Sequence, residues 1–579
     1  MRVLLLVSAF NGLSQRVWCE LRAAGHEVGV LLAAGQQETI DGVRAAAPEL
    51  IICPFLKHRV PRAVSENYRT VIIHPGPVGD RGPSSLDWAI GEGATEWGVT
   101  ALQAVDELDA GPIWATRTFP MPHPPVPKSA LYNGPVADAA LQCVMEVIVK
   151  GADPQFVPVE QHRYPVQIPG ARPRPAIRQA DRAFDWSQTS AEIARMIRAA
   201  DGTPGVRTEI AGLTVHAFDA HPGQQFPATP GRLLARRMGA VQVATGDGSV
   251  WLGRLRRADA GSRLGIKLPA TSVLPRQPRQ QRRRMAPPLI SAAPLARGHG
   301  LPDGLREITY RPAGAIGWLT INFYNGAMST EQCRRLASAV RHAATQDTRA
   351  LVLTSSTEMF SNGIDLNSIE AAADPAAEAW DNIQAINTVC RQIIECTSQP
   401  VITAFAGNAG AGGVMLGLGA DVVAARAGIV LNPYYDIGLY GSELHTWTLP
   451  RRVGVEPAQR LLTDKLPVTA EQAASMGLVD AVGPRHPEAW MRWLAELAHR
   501  HSDPVTAQRM CEAKQARQNT QPMPVAVYEL RELAEMSRDI FDDRSGFAAA
   551  RRAFVFKAAP RIPDQLRMQP ATMIGSRMG

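Results

Sequence analysis

Cysteine pairs at redox or zinc spacing are absent from this chain. The seven cysteines, at positions 19, 53, 143, 333, 390, 396 and 511, form no C-x-x-C and have no histidine partner at ligand spacing. Neither a disulfide framework nor a metal site is indicated, and a reducing cytoplasm fits this usage. Long apolar runs are also lacking. The opening "MRVLLLVSAFNG" is too short to span a bilayer, and no small-residue cleavage site follows it. It reads as a buried first strand, with no membrane association expected. The first turn, "SAFNGLSQ", has no G-x-G-x-x-G, so the dinucleotide fingerprint is excluded. Tyrosine is scarce, with nine in 579 residues, yet three of them (Tyr434, Tyr435 and Tyr440) fall in "NPYYDIGLYGSELH", followed at once by Glu443 and His445.

Outside one segment the chain has no excess of positive charge. Residues 254–298 carry eleven Lys/Arg against one Asp, a net of +10, so the remaining chain sums to 7 − 10 = −3. The run "PRQPRQQRRR" (275–284) lies in a Pro/Gln/Arg-rich stretch that cannot bury a core and reads as a linker over 276–303. No aromatic residues interleave these arginines as a stacking surface requires, so nucleic acid is not expected as a partner.

The length allows three to five domains. The N-terminal half opens strand, helix, strand: "RVLLLVSA" (2–9), a helix near 13–24, "EVGVLLA" (27–33), then "ELIICPFL" (49–56). Such alternation predicts a parallel sheet wound with helices. The C-terminal half alternates too. "AIGWLTINF" (315–323) reads as a strand, and a Ser329/Gln332 capping box opens a helix over 329–344. "RALVLTSS" (349–356) and "PVITAFAG" (400–407) are buried strands flanking a helix near 377–397. The glycine turn "NAGAGGVMLGLGAD" (408–421) then leads into a small-residue helix.

"TVIIHPGPVGDRGPSSLDWAI" (70–90) sets His74 directly after a strand, and "VDELDAGPIW" (105–114) offers Asp109 before a Gly-Pro turn. Groups at the carboxyl end of a strand line the crevice of a wound sheet. Together with the "GVT" strand and Leu-Asp-x-Gly, these strings resemble the formyltransferases that use 10-formyltetrahydrofolate, over 1–180. "FDWSQTSAEIARMIRAADGTPGVRT" (184–208) resembles the start of their small β-rich domain, over 181–275. The resemblance implies that His74 donates to the formyl oxygen and that Asp109 orients it and accepts a proton. It also implies cofactor contacts at Asn11, Gln15, Arg81, Gly82, Ser84 and Ser85. The family carries Asn two residues before the histidine, where this chain has Ile72. Either Asn11 or Gln15 supplies the missing donor, or the acceptor and geometry differ.

"MFSNGIDLNSI" (359–369) and "AGAGGVMLGLGAD" (409–421) together resemble the enoyl-CoA hydratase (crotonase) superfamily, over 304–560, with a tail at 561–579. The implied oxyanion hole pairs the backbone N–H groups of Ile364 and Gly412, with Gly363 and Gly413 as further cofactor contacts. Both hydration glutamates are missing, since Met415 and Tyr434 occupy their places. A phenol near pKa 10 is a poor base at neutral pH, so the pocket is not expected to hydrate a double bond. Tyr434, Tyr440 and Glu443 are the candidate lining groups, their roles open.

The fusion of these two parts, with the "NPYYDIGLYGSE" string, resembles the HypX/HoxX family of hydrogenase-maturation proteins. The fold implied is α/β: a Rossmann-like formyltransferase domain with a small β-rich subdomain, then a crotonase-like β/α spiral. The resemblance implies formyl transfer from 10-formyltetrahydrofolate to coenzyme A, then decarbonylation of formyl-CoA to carbon monoxide. Other hydrogenase-maturation proteins are candidate partners. The alternative is a formyltransferase for another acceptor, such as an amine, with the crotonase half as a CoA-binding docking module.

Overall fold

The computed structural model describes residues 1–165, 168–224, 227–258, 265–274, 305–355, 359–558 and 562–568. The expected linker at 276–303 lies outside the described residues, as does the tail from 569 onward. The chain divides into two compact units. One holds residues 1–183, 195–205 and the tail segment 562–568, and the other holds 184–194 and 206–558.

The first unit is built on a six-stranded sheet: β1 (Arg2–Val7), β2 (Glu27–Leu32), β3 (Leu50–Cys53), β4 (Thr70–His74), β5 (Glu96–Gln103) and β6 (Ile113–Pro120). Their order is β2-β1-β3-β4-β5-β6. Val3 to Val7 are buried, as a strand covered on both faces requires. The expected parallel sheet is parallel only from β2 to β4. β5 runs antiparallel to β4, and β6 antiparallel to β5. The β5–β6 connection contains no helix, and a short helix-free connection joins only antiparallel neighbours. Asp109 sits in that connection.

The second unit opens with an antiparallel sheet. β7 (Val206–Ile210), β8 (Leu213–Gly223), β9 (Leu233–Arg237), β10 (Ala240–Ala244) and β11 (Ser249–Arg257) pair in the order β7-β8-β11-β10-β9. β12 (Leu268–Pro269) adds to β11. A spiral follows in which successive turns feed two sheets. The large sheet takes β13 (Ile308–Ala313), β14 (Ile316–Ile321), β16 (Ala350–Ser355), β19 (Val401–Phe405), β21 (Val422–Arg426) and β24 (Ala481–Gly483), in that order. The smaller sheet takes β17 (Met359–Ser361), β20 (Asn408–Gly410), β22 (Val430–Asn432) and β23 (Val468–Thr469). A two-stranded piece joins β15 (Ala327–Met328) to β18 (Gly363–Ile364).

Local signals in the sequence explain several element ends. The helix Thr330–Ala344 begins at the Ser329/Gln332 capping box, with both reciprocal bonds present. The helix Pro375–Glu395 is capped by Asp374 and packs Ile383, Ile386, Val389, Cys390 and Ile393 inward. The helix Gly412–Leu418 is buried along its whole length, which its small residues permit.

Candidate active sites

β4 ends at His74, and a Pro/Gly loop follows. Ser85 Oγ donates to the Pro75 carbonyl oxygen at 2.7 Å, and Thr100 Oγ1 donates to that of Gly76 at 2.9 Å. These bonds curl the loop back over the strand end. His74 is 4 % exposed and lies between two carboxylates. Its Nδ1 is 3.4 Å from Asp109 Oδ1, and its Nε2 is 2.9 Å from Asp80 Oδ2. Asp109 occupies a left-handed turn, φ 54°. The Gly82 N–H donates to Asp109 Oδ2 at 3.0 Å, and Gln161 donates to the Asp109 carbonyl oxygen at 2.8 Å. Burial by itself would depress the imidazole pKa. The hydrogen bond with Asp80 and the charges of Asp109 and Asp80 outweigh it and carry His74 above its ordinary value.

The other positions expected in this half have separate duties. Arg81 pairs with Glu107 at 2.8 Å and donates to Gln161 at 3.1 Å. Ser84 Oγ accepts the Ile177 N–H at 3.2 Å, so both Ser84 and Ser85 brace the loop. Asn11 caps the helix Gly12–Ala23 through the Ser14 N–H and donates to the Tyr132 hydroxyl at 3.4 Å. Gln15 donates to the Phe10 carbonyl oxygen at 3.1 Å. Neither Asn11 nor Gln15 has a hydrogen bond to His74, Asp80 or Asp109 among the described residues. Ile72 packs with the apolar cluster around Leu4, Leu6 and Ile51.

In the second unit the two expected oxyanion segments lie side by side. A Cβ on Gly363 would fall 3.2 Å from the Gly412 nitrogen. Met415 is fully buried in the core between helix and sheet, where it can move no proton. Glu443 takes the other side of Gly412: a Cβ on that glycine would fall 2.2 Å from Glu443 Oε1. The Glu443 backbone is left-handed (φ 61°), as is that of Leu444 (φ 60°). The Tyr434 hydroxyl lies 3.0 Å from the Ser442 carbonyl oxygen and 3.1 Å from Glu443 Oε2. The expected Tyr440 stands further out. It is 46 % exposed, its ring is 5.5 Å from that of His445, and its hydroxyl has no hydrogen bond among the described residues.

Residues distant in sequence hold this turn. Asn387, from the helix Pro375–Glu395, accepts the Glu443 N–H at 2.8 Å. Glu532, from the helix Val525–Phe541, accepts the N–H groups of Leu444 (2.9 Å) and Thr446 (2.8 Å) and the Thr446 hydroxyl (2.5 Å). Burial pushes Glu443 up, and the charge of Glu532 adds to it against the Tyr434 bond and His445. Burial likewise lifts Glu532 to about 7, despite its three donors. His445 is lowered by burial, partly offset by the Ser442 carbonyl and Glu443. Tyr434 rises well above 10, from burial first and then from the charges of Glu443 and Glu532. Arg254 of β11 reaches Asp365 at 3.1 Å, both buried, and fixes the residue next to Ile364.

Sequence reasoning missed Asp80, Asn387, Glu532 and Arg254. Asp80 had a signal: an acid inside a Pro/Gly loop six residues after the histidine. The other three come from remote elements and carry no local mark. Among the described residues no group of three or more His, Cys, Asp or Glu is placed to hold a metal ion, and no helix is long and apolar enough to cross a membrane.

Comparison with known proteins adds to this geometry. Residues 26–133 match the formyl transferase family, 176–263 the formyl transferase C-terminal domain, and 317–553 the enoyl-CoA hydratase/isomerase family. The chain is 39 % identical to the hydrogenase maturation factor HoxX of Bradyrhizobium diazoefficiens, over 100 % of this chain and 98 % of that one. It is 36 % identical to HypX of Aquifex aeolicus, solved in complex with tetrahydrofolic acid, with a TM-score of 0.89 and 98 % of each chain covered. A probable enoyl-CoA hydratase of Rhodobacter capsulatus is 33 % identical over 36 % of this chain and 76 % of its own. The chain belongs to the HypX/HoxX family of hydrogenase maturation factors, in which a formyl transferase part is joined to an enoyl-CoA hydratase-like part.

Proposed function

We propose that this protein makes carbon monoxide for the metal centre of a [NiFe]-hydrogenase. The formyl group passes from 10-formyltetrahydrofolate to the thiol of coenzyme A in the first unit. Formyl-CoA then loses carbon monoxide in the second unit and regenerates coenzyme A. The gas passes to other hydrogenase-maturation proteins, in a reducing cytoplasm that suits a thiol cofactor. The observation that carries this reading is the second pocket: Glu443, bound by Tyr434, rests against Gly412, while the hydration positions hold Met415 and Tyr434.

At the first site His74 faces the formyl oxygen as charge grows on it, and Asp109 orients the ring. Positioned groups of this kind contribute about 10²–10⁴ in rate. Arg81, Gly82, Ser84 and Ser85 shape the loop that receives the folate, with Asn11 and Gln15 at the first turn. The relative from Aquifex aeolicus, which binds tetrahydrofolic acid, supports folate as the donor.

At the second site the N–H groups of Ile364 and Gly412 hold the thioester oxygen, with Gly363 and Gly413 giving the close approach. Glu443 takes the formyl proton. The C–H electron pair becomes the lone pair of carbon monoxide, the C–S pair leaves with sulfur, and the proton returns to the thiolate. Burial raises the basicity of Glu443 once it is ionised, and the Tyr434 hydroxyl steadies it. Tyr440 stands at the exposed rim. A buried pocket also keeps water from hydrolysing formyl-CoA.

The test is a paired time course of tetrahydrofolate absorbance and haem-bound carbon monoxide on one sample, with and without coenzyme A. Both products should appear only when coenzyme A is present. Tetrahydrofolate without carbon monoxide would favour another acceptor and overturn the second step.

A further inference from the structure

Both ring nitrogens of His74 face carboxylates: Nε2 faces Asp80 at 2.9 Å and Nδ1 faces Asp109 at 3.4 Å. A neutral imidazole has one N–H and satisfies one such acceptor, whereas an imidazolium satisfies both. Asp80 is 3 % exposed, and its Oδ1 is buried with no hydrogen-bond partner among the described residues. A buried carboxylate with half its acceptor capacity unused depends on the charge of the group it touches. Gly76 makes the pair possible. A Cβ there would fall 2.2 Å from Asp80 Oδ2 and 2.4 Å from His74 Nε2, so no side chain fits beside the contact. Arg81, next in the chain, turns away to Glu107 and Gln161. Among the described residues, the titratable groups on the ring are therefore Asp80 from the loop and Asp109 from the β5–β6 connection.

We propose that Asp80 is a positioning residue of the transfer site: with Asp109 it fixes His74 from both nitrogens and keeps the ring charged for the oxyanion that develops on the formyl group. This rests on formyl transfer at His74. As the acceptor sulfur adds, the C=O pair moves onto oxygen, and the Nε2–H that Asp80 holds in the resting site turns to that oxygen as its charge grows, while Asp109 keeps Nδ1. When the adduct collapses, the C–N bond to the folate breaks. Its electron pair goes to that nitrogen, which takes up the proton lost by the thiol. A ring held charged is ready without first binding a proton. The shift that Asp80 and Asp109 impose on His74 agrees in direction.

Asp80→Asn in the full chain tests this. The His74 imidazole is followed by NMR titration, identified by its absence in His74→Gln, beside the pH profile of tetrahydrofolate formation with coenzyme A. The His74 midpoint should fall by about one unit or more. The alkaline limb of the rate profile should move toward acid by the same amount. On the acid side of both midpoints, where the ring is charged in either protein, the variant should run within about threefold of the parent; between the two midpoints it should be slower by up to about tenfold. A merely structural role would slow the variant equally at every pH, and that result, or an unmoved His74 midpoint, overturns the proposal. Gly76→Ala keeps the carboxylate but breaks the contact, so it should reproduce the midpoint shift even if Asp80→Asn folds poorly. If the parent forms no tetrahydrofolate, the transfer reading fails, while the NMR titration still decides the role of Asp80.

Discussion

Replacing Gly412 with alanine probes the second site through a single methyl group. The new Cβ would sit 2.2 Å from Glu443 Oε1, 2.6 Å from its Cδ and 3.2 Å from its Cγ. Non-bonded carbons prefer about 3.5–4.0 Å, so the overlap exceeds an ångström. Glu443 cannot simply retreat. Its N–H is held by Asn387, its backbone is left-handed, and its carboxylate is bonded to Tyr434 and the Ser442 N–H. The helix Gly412–Leu418 cannot yield easily either, because every residue in it is buried. Overpacking of this kind costs about 1–3 kcal/mol in stability, which a chain of this size tolerates. If the Gly412 N–H is the oxyanion donor proposed above, the loss in chemistry is larger, since displacing one such donor typically costs about 10²–10³ in rate. Carbon monoxide release from Gly412→Ala, read by a haem reporter, should fall by that factor while tetrahydrofolate formation continues. Release within about threefold of the parent from a folded variant would refute the placement of Glu443 and Gly412 in one site.

Three further outcomes follow from the same pocket. Tyr434→Phe removes a hydroxyl bonded to Glu443 and should cost about 10² in carbon monoxide release; Tyr440→Phe removes an exposed hydroxyl and should cost less, and equal losses would contradict the ranking. If Met415 and Tyr434 stand at the hydration positions as proposed, turnover of crotonyl-CoA should be at least about tenfold below that of ordinary hydratases, and a direct absorbance assay checks it. Glu532 is raised from 4.5 to about 7, so its protonated form favours folding below pH 4.5 and that contribution is lost as the pH rises to about 7. The melting-temperature advantage of the parent over Glu532→Gln should therefore shrink across that window in calorimetry, and a constant difference would contradict it.

The parts of the sites legible in sequence are those whose chemistry is local. His74 is marked by the strand before it and the Pro/Gly loop after it. Asp109 is marked by its Gly-Pro turn, and the segments proposed to form the oxyanion hole by closely spaced glycines. The tyrosine-rich loop was visible as a local excess, and the structure divides it: Tyr434 turns inward to Glu443, while Tyr440 reaches the surface. Asn387 and Glu532 were not legible, because they act from helices about 56 and 88 residues away in the chain and look like ordinary helical polar residues. The direction of β5 was also hidden. An apolar run reads the same whether it pairs parallel or antiparallel, and only the helix-free return to β6 hints at reversal.

Carbon monoxide synthesis from the folate-borne formyl group is tested by following the formyl carbon itself. 10-Formyltetrahydrofolate with an isotopically labelled formyl group is given to the full chain with coenzyme A, and labelled carbon monoxide and labelled formate are measured together. The label should leave as carbon monoxide in step with tetrahydrofolate, with coenzyme A recovered unchanged and formate a minor product. Label found only in formate, or in a stable formylated acceptor with no carbon monoxide, would contradict it.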